Sequence, residues 1–313
     1  MTSSVLHAPR GGWLVAGALA TFLAIGMIGA YRYADNYWLY RGFAPPHDAA
    51  FVKVHGSAER IDVASPALGG RRQPVDVYLP PGYNAHPGLR YPVLYLLHGF
   101  PGRPGAFLET VRMGVVQDEL VALHRARPMI LVMPFGSTGS FTDKEWANGV
   151  RPHEGWETFV ARDVVHAIDA RYRTIRSGQS RALGGLSEGG YGALNIAIHH
   201  PGEFRVVESW SGYELADRVP SVFGSDRALM KRNSPMQTIS TAAPKLRRAH
   251  TYFWFYSGTG DRELNQNDRF AQVLTRLHLP HRYAVVHGGH NWGIWRGRAV
   301  DAYLAASKRL SGA

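Results

Sequence analysis

The segment Gly185-Leu186-Ser187-Glu188-Gly189-Gly190 constrains this chain more than any other. It follows the apolar run Ala182–Leu183 and precedes Tyr191-Gly192-Ala193-Leu194-Asn195-Ile196-Ala197-Ile198, which reads as a helix. A serine at such a strand-to-helix elbow is held at a strained backbone angle with its hydroxyl exposed. The two arms pass so close that glycine is favoured two residues to either side, here Gly185 and Gly189. Short motifs recur by chance, and the flanking strand and helix are what give this one weight.

The surrounding pattern agrees. Strands are expected at 51–64, Val75–Leu79, Val93–Leu97, Met129–Met133, Arg181–Gly185, Arg205–Trp210, Tyr252–Tyr256 and Arg282–Val286. Several are short continuous apolar runs, as in strands covered on both faces. Helical patterns lie between them at 107–125, 157–171, 190–199, 265–278 and 296–309. Alternation of this kind predicts an α/β fold, an open and mostly parallel central sheet with helices on both faces. No linker divides 51–313, so one catalytic domain is expected there, with segment 211–250 forming a cap over its site.

A nucleophilic serine needs a base, and the base needs an orienting acid. The chain order serine, acid, histidine is that of α/β-hydrolases. Downstream, the strand ending at Tyr256 runs into Ser257-Gly258-Thr259-Gly260-Asp261-Arg262-Glu263, so the acid is Asp261 or Glu263. A carboxylate just past a strand's C-terminal end lies where open α/β sheets place their sites. The next strand ends in His287-Gly288-Gly289-His290, and the double glycine puts His290 on a loop able to reach Ser187. His287 and His290 lack a third ligand at recognisable spacing, and HExxH is absent, so no metal or other cofactor is expected. The oxyanion hole calls for two backbone N–H groups. Glu188, after the nucleophile, supplies one; Phe100, in the loop after the strand Val93–Leu97, is the candidate for the other.

Together, LYLLHGFPG, GLSEGGYGALNIAIHHPGEF, GTGDREL and GGHNWGIW resemble the esterase D-like family of α/β-hydrolases, over most of 75–300. That family includes formylglutathione hydrolases, feruloyl esterases and secreted mycolyltransferases. Glu154-Gly155-Trp156-Glu157-Thr158-Phe159 resembles its WETF segment, and Arg232-Asn233-Ser234-Pro235 with Pro244-Lys245-Leu246 resembles the mycolyltransferase branch. The resemblance implies Ser187 as nucleophile, His290 rather than His287 as base, and Phe100 and Glu188 as oxyanion donors. Most members would place the acid at Asp261, whereas the mycolyltransferase glutamate aligns with Glu263. This chain departs from that branch at His98, where the mycolyltransferases carry an aspartate that helps bind the sugar acceptor.

Residues 11–30 form the only stretch of about twenty without a charge, long enough for one transmembrane helix. Trp13 lies at one end and Tyr31, Tyr33, Tyr37 and Trp38 at the other, where interfacial aromatics belong. Small residues are missing from the −3 positions of possible cleavage sites, which favours an uncleaved anchor over a signal peptide or a core helix. The expected organisation is a tail and anchor over 1–36, a tether over 37–50 and the catalytic domain outside the cytoplasm. Thirty-five basic against 24 acidic residues give +11, suited to an anionic membrane surface. The basic residues are scattered and no nucleic-acid motif is present, so a nucleic-acid partner is not expected. There are no cysteines, which excludes disulfides and thiolate chemistry. The expected function is a membrane-anchored serine ester hydrolase acting on amphiphilic acyl esters of envelope lipids or glycans. The alternatives are an acyltransferase of the mycolyltransferase type and a non-catalytic binding protein on the same fold.

Overall fold

A computed structural model describes residues 10–139, 141–216 and 219–310. The tail 1–9 lies outside the described residues. The chain divides into two compact units, one ending at Pro45 and one beginning at Pro46. Among its described residues, the first holds the helix Arg10–Tyr40. Its stretch Gly12–Tyr40, 29 residues long and with none of its most apolar window buried, is long and apolar enough to cross a membrane. That is compatible with a single-pass anchor or a signal sequence. The helix runs on through Tyr40, so the residues read as the start of the tether, 37–40, are helical.

The second unit is built on an eight-stranded sheet of order β1-β2-β4-β3-β5-β6-β7-β8. The strands are β1 (Ser57–Ser65), β2 (Arg71–Leu79), β3 (Val93–Leu97), β4 (Ile130–Pro134), β5 (Arg181–Leu186), β6 (Val206–Trp210), β7 (Tyr252–Gly258) and β8 (His281–Val286). The β1–β2 and β2–β4 pairs are antiparallel; every other pair is parallel. This is the mostly parallel α/β sheet that the sequence predicts. The first strand begins at Ser57 rather than 51, because the ladder starts at the Ser57–Leu79 pair.

Alternate residues of the central strands enter two separate cores, which is why those strands read as unbroken apolar runs. Val93, Tyr95 and Leu97 pack on one face with Leu183, Val207, Phe253 and Phe255. Leu94 and Leu96 pack on the other with Ala182, Val206, Trp210 and Trp254. Segment 211–250 is not a cap throughout. Its helix Pro235–Arg248 turns Ile239, Ala243 and Leu246 into the first core. The helix was hard to read because Pro235 starts it and Pro244 lies inside it. The WETF-like segment is structural here: buried Glu157 accepts from His199 Nδ1 at 2.8 Å and His200 Nε2 at 2.9 Å, pinning the helix that carries the elbow.

A fully buried carboxyl group sits within the sheet itself. Glu208 on β6 is fully buried, and its Oε2 accepts from Trp210 Nε1 at 3.0 Å. It faces Gly184, where a β-carbon would approach Glu208 Cβ to 3.1 Å. Burial pushes its pKa up to about 8, against a smaller opposing effect of the Trp210 hydrogen bond. The native state therefore keeps a proton that the unfolded chain releases above about pH 4.5, and stability falls as pH rises through that window to about 8. Glu208→Gln keeps the shape and the acceptor without the titration. Relative to this variant, the wild type is expected to lose on the order of 4 kcal/mol between pH 5 and pH 8, read by urea denaturation of the detergent-solubilised chain. Parallel pH profiles for the two proteins would contradict this.

Candidate active site

β5 ends at Leu186 and the helix Glu188–His199 begins one residue after Ser187, leaving Ser187 alone at the bend with φ 56° and ψ −121°. Two backbone contacts hold this strained conformation. Ser187 N–H donates to Trp210 O at 2.9 Å, and Ser187 O accepts from Gly190 N–H at 2.9 Å. The flanking glycines are steric necessities. A β-carbon on Gly189 would lie 1.9 Å from Leu97 O, and one on Gly185 would lie 2.4 Å from the Gly189 carbonyl. Neither contact is with a flexible side chain, so no rotamer change relieves it.

The loops after β7 and β8 bring the other two residues to the serine. Gly260 N–H donates to Gly288 O at 2.8 Å and Thr259 N–H to Val286 O at 2.8 Å, joining the two loops. Asn291 caps the helix Trp292–Gly297 through Gly293 N–H, and the Trp295 ring packs perpendicular to the His290 ring with centroids 5.1 Å apart. Thus fixed, His290 places Nε2 2.8 Å from Ser187 Oγ and Nδ1 3.2 Å from both oxygens of Asp261. Because Nδ1 faces only a carboxylate, it carries the proton, and Nε2 is left to accept from the Ser187 hydroxyl. Asp261 is buried, which by itself would raise its pKa; the hydrogen bond and charge of His290 reverse this, helped by neighbouring Ser211 and the Glu263 N–H, and hold it below the usual range.

Both acids expected from the sequence lie close by, in different roles. Glu263 accepts from Arg262 Nε at 3.0 Å and from Gln266 Nε2 at 2.6 Å, while the carboxylate that meets His290 Nδ1 is that of Asp261. His287 is exposed past the end of β8. Gly99 passes directly against the elbow: a β-carbon there would lie 3.0 Å from Ser187 Cβ. That places Phe100, the next residue, at the serine, and both line the same cleft of about 240 Å³ with Glu188. The Glu188 amide opens a helix, whose N-terminal end favours negative charge.

Several side-chain contacts that sequence reasoning did not anticipate shape the site. His98 is buried; its Nδ1–H donates to Gly99 O at 2.9 Å, and its Nε2 accepts from Gly136 N–H at 3.1 Å. Burial lowers its pKa to about 4, so the ring is neutral at pH 7 and fixes the loop carrying Phe100. Trp146 donates its Nε1–H to His98 O at 2.9 Å. The cleft wall is acidic, with Asp143, Glu145 and Glu188 together, and Tyr213 O–H donates to Glu145 at 2.5 Å. Burial and the adjacent Asp143 and Glu145 carboxylates keep Glu188 protonated well above the usual range. This shift favours the uncharged form of its side chain beside the serine. No motif marks these contacts, because the residues meet only once the chain is folded.

An esterase of Mycobacterium tuberculosis is 29% identical over 244 residues, covering 69% of this chain and 52% of that protein. The diacylglycerol acyltransferase/mycolyltransferase Ag85A of Mycobacterium leprae is 26% identical, covering 75% of this chain and 72% of that protein. Among solved structures, a ferulic acid esterase superposes with a TM-score of 0.72 at 25% identity, covering 83% of this chain and all of that one. The chain spans about half the length of the first curated relatives it matches, 56% and 52%. The profile of the family described as "Putative esterase" matches residues 65–305, more than half of the chain; together with the elbow and the sheet around it, this makes the chain a member of that esterase family, on an α/β-hydrolase fold.

Proposed function

We propose that this protein is a membrane-anchored serine hydrolase of carboxylic esters, working through an acyl-enzyme. The observation that carries the proposal is the continuous contact Ser187–His290–Asp261, 2.8 Å and then 3.2 Å, at the mouth of a cleft. Ser187 Oγ attacks the ester carbonyl while His290 Nε2 takes its proton. Asp261 holds the ring in the required tautomer and stabilises the imidazolium. The Phe100 and Glu188 N–H groups receive the charge that develops on the carbonyl oxygen. His290 then returns the proton to the departing alcohol and activates water to release the acid. The upward shift of Glu188 helps here, since a carboxylate beside the forming oxyanion would oppose it.

The apolar helix Gly12–Tyr40 supports an anchored location, and in this proposal the catalytic domain lies outside the cytoplasm. Such a location favours amphiphilic acyl esters of envelope lipids or glycans as substrates. The acidic wall of Asp143 and Glu145 favours neutral or cationic groups next to the scissile ester. The similarity to the Ag85A acyltransferase supports a second reading, in which a sugar or lipid hydroxyl takes the acyl group in place of water. Neutral, backbone-bound His98 favours hydrolysis, because it offers no carboxylate to hold a sugar.

Steady-state kinetics on a short-chain acyl ester distinguish the two acids. Asp261→Asn is expected to lower kcat about 10⁴-fold, whereas Glu263→Gln causes a far smaller loss; the reverse order would transfer the role to Glu263. His98→Leu leaves Gly99 O and Gly136 N–H without their imidazole partner, and the shifted loop is expected to lower kcat about 10²-fold with less effect on KM. An unchanged kcat in folded His98→Leu protein would contradict that positioning role. Products analysed with and without trehalose or glycerol should be mainly the free acid in both cases. Acylated acceptor as the main product would instead establish transfer.

A further inference from the structure

Away from the cleft, three potential ligands converge that no sequence motif announces. Asp48 and His55 lie on the segment leading into β1, and Asp118 lies on the helix Met113–Ala122. One ligand atom from each falls within 4.8 Å of the other two. His55 Nδ1 lies 2.5 Å from Asp48 Oδ2. Asp118 is 1% exposed, and its Oδ2 accepts from Gly56 N–H at 2.8 Å and from Tyr78 O–H at 2.7 Å. Its other oxygen, Oδ1, is buried with no hydrogen-bond partner among the described residues, and so is Asp48 Oδ1.

This arrangement is costly as it stands. A buried carboxylate oxygen without a donor loses its hydration and gains nothing in return, and two carboxylates drawn together repel one another. A cation shared by both removes each penalty at once. The donor set of one imidazole nitrogen and two carboxylate oxygens suits Zn²⁺, which takes both at about 2.0–2.2 Å. Ca²⁺ and Mg²⁺ prefer oxygen-only shells. The His55 side chain is 55% exposed and is therefore free to rotate and close the remaining distance.

We propose that Asp48, His55 and Asp118 bind one Zn²⁺ ion, which clamps the segment before β1 onto the helix Met113–Ala122. On binding, the hydrogen shared by His55 Nδ1 and Asp48 Oδ2 gives way to the metal, and the ring proton resides on Nε2. The two carboxylates balance the charge of the ion. Its role is structural: it closes a loop between residues 48 and 118 and fixes the chain just as it enters the catalytic unit.

The test uses the full chain in detergent with Zn²⁺ alone as the probe. Wild type, His55→Gln and Asp118→Asn are stripped with a chelator, reloaded, desalted and assayed for bound zinc, with limited proteolysis of segment 46–56 followed in parallel. Stoichiometric zinc is expected in the wild type and neither variant should retain it. Cleavage should slow about tenfold when free zinc is about ten times its Kd, in the wild type only. His55→Gln alters an exposed side chain, so it remains informative even where Asp118→Asn fails to fold. Equal zinc retention by His55→Gln, or no retention and no protection in the wild type, would overturn the proposal.

Discussion

The site depends on one close approach of backbone to backbone. The Leu97 carbonyl, at the end of β3, lies so near Gly189 that a β-carbon there would meet it at 1.9 Å. That proximity lets β5 end and the following helix begin with a single residue between them. It forces Ser187 to φ 56°, exposes its hydroxyl, and brings the loop carrying Phe100 against it. A strain of this kind persists only where its surroundings over-determine it. Here Trp210 O, Gly190 N–H and the buried sheet on either side do so.

The other catalytic candidates are carried by less rigid structure, and the protein compensates locally. His290 sits on a glycine-flanked loop, yet the Asn291 cap, the Trp295 indole and the ladder from Thr259 and Gly260 leave its ring little freedom. Polar groups buried around the site stay uncharged where charge would do harm. Burial, with its acidic neighbours, favours the protonated form of Glu188, and burial keeps His98 neutral. Asp261 is the exception: its partners override burial and keep it ionised beside the imidazole.

How much of this was legible in the sequence follows from the range of each interaction. The elbow was readable because it is local: four glycines, a serine and the flanking apolar runs occupy one continuous segment. The parallel strands were readable because both their faces are buried. Asp261 and Glu263 were not separable, since both follow β7 within five residues and only the folded loop decides which one meets His290. The helix Pro235–Arg248 was hidden by its two prolines, so a core element passed for part of a cap. His98, Trp146 and the Asp143–Glu145–Glu188 wall act through contacts between distant segments, as does the Asp48–His55–Asp118 cluster. Spacing along the chain carries no trace of them.

The most direct test of the central claim is intact-mass analysis after labelling with a fluorophosphonate, on wild type and on Ser187→Ala. An activated serine predicts a single adduct on the wild type and none on the variant. Folded wild-type protein that takes up no label, or a Ser187→Ala variant that still does, would contradict the assignment of Ser187 as the nucleophile.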